Sequence, residues 1–533
     1  MKSLVIASII AHSTTFISAV SASVHDAECC HALHASALGS NVYFPKSSSY
    51  DDRLDSYWSR SAALAPTCMV LPTCTEDVAH IIRTIVANNC SFGVRSGGHG
   101  SFAYSNSVDE GITIDFGFIN KTTYNSDTKI ASVPPGSQWQ QVYETLAPYG
   151  VTVTGGRAGT VGVAGFLTGG GNSFHSASHG FGCDNVHNFE VVLADGSIVD
   201  ANAEAHADLW QGLKGGSGNL GLVTRFDMYV IDFPDPGVTD IWGGVVGYDL
   251  GATDAVIDAY IDFADNVYKD QNSSTLPYLA YVPEAGGMIL NVALDNTINA
   301  AFPPAFDGFL SVPGITATSL RSAPMQEITA ELGLAQPYGF RHLWFSSGYK
   351  NDARIMRYIV QKHKEIVARL VPDYPADSGF NTLCLFQPIT QTLVGHSAAK
   401  GGNVLGLEDR VKDGNGVMFL LGIGIHSAED EAKLWPIFRE WFDDVDSYAT
   451  SIGANWNWHY LNYANLAQDS LASYGKASVE TIRRVSEKYD PGQVFQKLRK
   501  SGFKIPAEVH EGTYGYQGAN IEDYSSIDQK VLG

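Results

Sequence analysis

At 533 residues, 44% of them hydrophobic, the chain is too long for one ordinary core and carries enough apolar material to fill two or more. Its formal net charge of -22 repels phosphate backbones and anionic headgroups, which argues against nucleic acid or a membrane surface as partner.

The N-terminus has a basic start at Lys2, an apolar run to Ile10 and small residues at Val20-Ser-Ala22, the pattern of a cleaved secretory signal over residues 1–22. An uncleaved anchor is the alternative, although the run is too short to span a bilayer. Secretion permits disulfides among the seven cysteines, and the odd count leaves at least one thiol unpaired. Asn89-Cys-Ser91, Asn120-Lys-Thr122 and Asn272-Ser-Ser274 are glycosylation sequons.

Met69-Val-Leu71 begins a βαβ-like unit. Val78, Ile81, Ile82, Ile85 and Val86 recur at helical spacing, with Thr73 or Thr75 as N-cap and Asn88-Asn89 closing the helix. A strand from Phe92 to Arg95 then delivers the turn Ser96-Gly-Gly-His-Gly100, whose glycines allow positive φ and close backbone approach to an anion. A second unit follows: a strand from Ile130 to Val133, a helix with Trp139, Val142, Tyr143 and Leu146 on one face, and the strand Val151-Thr-Val153. The run from Gly155 to Gly171 is too glycine-rich for a regular core element and too apolar for a solvated tether, which suits it to wrapping a ligand. Phe189 to Leu193 and Ile198-Val199 form a hairpin around Ala194-Asp-Gly196.

Gly216-Ser-Gly218-Asn-Leu-Gly221 matches the G-x-G-x-x-G pattern, but it precedes the strand-like Leu222 to Val230 instead of following a strand, so a Rossmann fold is set aside. His175 and His179 are spaced as helical metal ligands would be, yet no Cys or carboxylate cluster completes a site, and no metal is expected.

Together, Arg95-Ser-Gly-Gly-His99, the Gly155 to Gly171 run, Asp208 to Asn219, Tyr460-Leu-Asn-Tyr463 and Tyr489 to Phe495 resemble the berberine-bridge-enzyme-like branch of the FAD-linked oxidases, in the vanillyl-alcohol oxidase superfamily, over residues 60–505. The resemblance points to a secreted fungal member. It implies an α+β, PCMH-type fold in two domains: a flavin domain over 60–236 completed by 456–507, and an antiparallel-sheet substrate domain over 237–455 that covers the flavin ring. A surface tail follows at 508–533. The resemblance also implies FAD bonded covalently through His99. Arg95, Ser96, Gly97, Gly98 and Gly100 surround that histidine, and Gly156, Ala158, Thr160, Val161, Gly162, Gly165, Gly170, Val223 and Tyr463 complete the cofactor site. Many relatives carry a second, cysteine tether at the position of Ala158, so a single tether is expected here; Cys183 is a conceivable substitute but reads better as a spare thiol. Val161 matches the position that gates oxygen.

The implied reaction is hydride transfer from an alcohol-type carbon of a secondary metabolite to FAD, with O2 as acceptor and H2O2 as product. Tyr460 is the first choice of base, on condition that its pKa is lowered by neighbours, with Asn462 and Tyr463 as positioning groups and Gln387 as a group holding substrate. The bland reading of Tyr460 is a core aromatic beside Trp456 and Trp458. A carbohydrate oxidase and a flavin-containing cyclase or binding module without net redox stay open. A monomer is expected. Cys29 or Cys30 is paired with Cys90, spacing alone being unable to choose between them.

Overall fold

The computed structural model describes residues 25–235 and 237–508, so the expected signal and the tail beyond residue 508 lie outside the described residues. Cys68–Val70 and Phe92–Arg95 both run parallel to Ile112–Asp115, which lies between them, and Val42–Tyr43 adds an antiparallel edge. The helix Thr75–Asn88 links the first two, burying Val78, Ile81, Ile82 and Ile85 as the spacing predicts, and ends at Asn89 in the left-handed region. Its N-cap is Cys74, not Thr73 or Thr75. Asp77 in the first turn accepts from both the N–H and the hydroxyl of Thr73, which takes that side chain out of the capping role.

Five antiparallel strands form a second sheet in the order Thr123–Asn125, Ile130–Val133, Leu222–Tyr229, Val186–Val192, Ile198–Asn202. The hairpin read from Phe189 to Val199 is its last pair, with Val192 opposite Ile198. Within the Gly155 to Gly171 run the chain is less irregular than expected: Val163–Thr168 is a short helix that buries Val163 and Leu167. Those apolar side chains outweigh the propensity cost of Gly165.

The third sheet is antiparallel throughout and comes wholly from residues 240–425. Alternation along its strands sorts two apolar faces. Leu343, Phe345, Cys384, Phe386, Phe419 and Leu421 pack under the helices Thr253–Asn266, Ala353–Leu370 and Ala428–Ser451. Leu276, Ala293, Trp344, Leu385 and Leu420 face the other way, toward the first two sheets. Each buried Leu or Phe among them is worth roughly 1.5–3 kcal/mol.

The chain end returns to the histidine-loop strand: the Phe92 N–H donates to the Leu498 carbonyl at 2.9 Å and the Lys500 N–H to the Phe92 carbonyl at 2.7 Å. At the other end Cys29 pairs with Cys90, one of the two pairings left open, and Cys30 pairs with Cys68, which spacing did not suggest.

Buried ionisable groups set the acid stability. Burial holds His175, His342 and His363 down to about 3 and His99, His179 and His459 down to about 4. The unfolded chain binds these six protons as pH falls through about 6.5, where the folded chain does not, so stability drops below that pH. Asp295 and Asp446, raised to about 8 and about 6 by burial, act in the opposite sense but are two against six. Urea midpoints should therefore fall from pH 7 to pH 5, by on the order of 2 kcal/mol or more in unfolding free energy. An unchanged or rising midpoint would contradict this assignment.

Candidate active site

Arg95 braces the first glycine loop from behind. Its guanidinium is buried and donates to the Arg53 carbonyl at 2.6 Å and to the Ser56 carbonyl and hydroxyl at 2.9 and 2.8 Å. It also pairs with Asp115 at 3.4 Å and lies over the Tyr57 ring. Arg95, counted among the cofactor-binding residues, does not line the cavity described below, and its contacts brace the loop from behind.

Beyond it the two glycine loops cross in backbone contact. A Cβ on Gly97 would sit 2.6 Å from the Gly162 Cα, and one on Gly162 would sit 2.4 Å from the Gly97 nitrogen. No side chain fits at either position. Ser96 ties the crossing, donating to the Pro135 carbonyl at 2.5 Å and accepting from the Ala164 N–H at 3.2 Å.

His99 follows, with one edge on the cavity. Its ring stacks on Trp58 at 4.2 Å and 7°, and Trp58 stacks in turn on His342 at 3.8 Å and 7°. The Trp58 indole N–H donates to the Gln336 carbonyl, and His99 Nε2 lies 3.3 Å from Thr160 Oγ1. Burial lowers the His99 pKa to about 4, so the imidazole is neutral at physiological pH and keeps a nitrogen lone pair for bonding.

The loops and the third sheet enclose a cavity of about 360 Å³. Of the residues picked from the sequence, Ser96, Gly97, Gly98, His99 and Gly100 line it from the first loop, and Gly156, Ala158, Val161, Gly162 and Gly165 from the second. Val223, Tyr460, Asn462 and Tyr463 line it as well. A Cβ on Gly165 would meet no atom within 4 Å, so that face of the loop opens into the cavity. Facing the loops are Val245, Leu276, Tyr278, Ala293, Trp344, Leu383 and Leu385 of the sheet, an almost wholly apolar wall.

Thr160, Gly170 and Gln387 do not line the cavity but stand one layer behind it. Thr160 reaches His99, and Gly170 takes φ +116°. Gln387 Oε1 accepts from Arg157, from Asn172 at 3.2 Å and from the Tyr463 hydroxyl at 3.4 Å. Cys183 is fully buried beside Asp184, away from the cavity wall, with its thiol pushed well above the usual range by burial.

Tyr460 does not meet the condition set for it. Its hydroxyl accepts from the Gly171 N–H at 2.7 Å and from Asn462 Nδ2 at 3.1 Å, and both bonds favour the phenolate. Burial opposes them and wins, holding the phenol well above 10. Tyr460 is therefore held as the phenol in this structure, and its oxygen links the Gly171 N–H to the Asn462 amide.

Three contributors escaped the sequence reading. Trp58 carries no local motif, and only the fold brings it against His99. At the far end Ser217, Gly218 and Gly221 of the set-aside glycine pattern line the cavity without making a Rossmann turn; the glycines themselves were the available signal. Arg499 lines the same end and donates to Asn219 Oδ1 at 2.7 Å and the Phe503 carbonyl at 3.0 Å.

The FAD binding domain family matches residues 66–202. The FAD-dependent monooxygenase sdcF of Emericella nidulans is 37% identical over 483 residues, 90% of this chain and 98% of that protein. The FAD-dependent monooxygenase drtC of Aspergillus calidoustus is 34% identical over 90% of each. Among solved structures, a variant of berberine bridge enzyme in complex with (S)-reticuline has a TM-score of 0.72 at 16% identity, covering 91% of this chain and 99% of that one. The fold is shared, and the glycine crossing, the open face at Gly165 and the neutral imidazole suit a flat nucleotide cofactor.

Substituting Gly97→Ala or Gly162→Ala should force the crossing apart at a cost of about 1–3 kcal/mol and lower the flavin bound per chain. Thermal midpoints and flavin absorbance of the purified variants check both effects.

Proposed function

The chain belongs to the berberine-bridge-enzyme-like FAD-linked oxidoreductases of the vanillyl-alcohol oxidase superfamily, and from that premise we propose that it is a secreted oxidase of a small, largely apolar alcohol. A carbinol and O2 become a carbonyl compound and H2O2. The observation that carries this reading is the neutral, stacked imidazole of His99 on the edge of a cavity with glycine loops on one side and an apolar sheet face on the other.

FAD supplies the two-electron chemistry when bound. His99, which lines the cavity, would hold it by one covalent bond, and Ala158 offers no sulfur for another. The loops of 60–236 with 456–507 form the flavin domain, and 237–455 form the substrate domain. Val161, which lines the cavity, would gate the approach of O2. Leu276, Leu383, Leu385 and Trp344 exclude water and accept the apolar body of the substrate, which favours a secondary-metabolite alcohol over a sugar. Tyr460 and Asn462 hold the glycine turn at Gly171 and Phe166 in place. Two disulfides accord with secretion.

Acid-denatured protein should keep its yellow colour on the polypeptide, and His99→Ala should release it. Polyketide-like alcohols should give peroxide at rates at least about tenfold above those of oligosaccharides. Turnover without peroxide would establish the cyclase instead, and a sugar preference would establish the carbohydrate oxidase.

A further inference from the structure

Arg157 stands between the two halves of the cavity with its charge unanswered. It lies on the second glycine loop and lines the cavity, and its hydrogen bond runs to a neutral group, the buried Gln387 amide, reached through Nη2. That amide oxygen is already shared by Asn172 and Tyr463, so it gives Arg157 only part of an acceptor. Among the described residues no carboxylate makes an ion pair with it. Glu331, which also lines the cavity, is committed to Arg321 and to Ser319.

One carboxyl group near enough for Arg157 to act on electrostatically is Asp295, two residues along the same sheet face from the cavity-lining Ala293. It cannot balance the guanidinium. Asp295 is fully buried with neither oxygen hydrogen-bonded, and burial raises its pKa to about 8, so at neutral pH it is an uncharged acid. A cation with spare N–H donors on the glycine-loop wall, opposite an almost wholly apolar sheet face, is costly to leave unmatched and geometrically suited to a carboxylate or an ionised enol.

Building on the oxidase reading, we infer that Arg157, supported by Gln387, is the substrate-recognition residue of this cavity, and that the substrate is an apolar molecule bearing an anionic oxygen group. Gln387 is the positioning residue, since it holds Nη2 while the remaining donors face the ligand.

The test compares 2-naphthoate with the isosteric, uncharged 2-naphthamide on the purified holoenzyme at pH 7, by titration calorimetry and by perturbation of the flavin absorbance. The naphthoate should bind about tenfold or more tightly, the weight of one charge-assisted hydrogen bond. That preference should disappear in Arg157→Met. It should disappear also in Gln387→Glu, where the new carboxylate neutralises an intact Arg157. Equal affinities in the parent enzyme, or a naphthoate preference that survives Arg157→Met, would overturn the inference. So would a loss of bound flavin in Arg157→Met with the preference intact, which would assign Arg157 to the cofactor. Calorimetry reports the anion preference even in protein without flavin, so failure of the oxidase reading and failure of this one are separately visible.

Discussion

Trp58 stands between two imidazoles, one from the glycine turn and one from the sheet strand Arg341–Lys350, and that stack ties the glycine turn to the sheet at the cavity. Its indole N–H is fixed to the Gln336 carbonyl, on a segment whose neighbours Ala335 and Leu332 line the cavity. Parallel rings at this spacing combine apolar burial with restricted tilt, so His99 presents one edge to the cavity in one orientation. Were Trp58 absent, the imidazole would lose the ring that fixes its plane.

The remainder of the site follows from how the loops are held apart from that point. Crossing glycines at 97 and 162 let the loops approach as closely as backbone permits, and Arg95 secures the crossing from the side away from the cavity. The cavity thus has a polar backbone wall and an apolar side-chain wall. That division suits a planar cofactor with an anionic linker on one side and an apolar substrate on the other.

Burial decides the chemistry of the ionisable groups more than their neighbours do. Tyr460 has two donors that favour its phenolate and stays a phenol; Asp295 has a nearby cation and stays an acid. His99 is neutral for the same reason. In each case the desolvation of the charged form exceeds the local hydrogen bonds or charges, so the cavity is less charged than its residues suggest; Arg157 on the second glycine loop and Arg499 at the far end keep their charges, and Glu331 is paired with Arg321.

Local features were legible in the chain itself. The helix over Thr75–Asn88, the strand before His99, the hairpin at Ala194-Asp-Gly196 and the glycine density of the two loops all follow from periodicity and backbone freedom within a few residues. The family motifs, being short and contiguous, could be read the same way. Tertiary structure alone decided that Cys29 and not Cys30 meets Cys90, that Trp58 covers His99, that Arg95 faces away from the cavity and that the set-aside glycines at 216–221 help wall it. It also decided the protonation of Tyr460 and Asp295. The reason is common to all of these: solvent exclusion and contact between residues far apart in sequence exist only once the chain has closed, and no pattern of neighbours along the chain encodes the dielectric a side chain will meet.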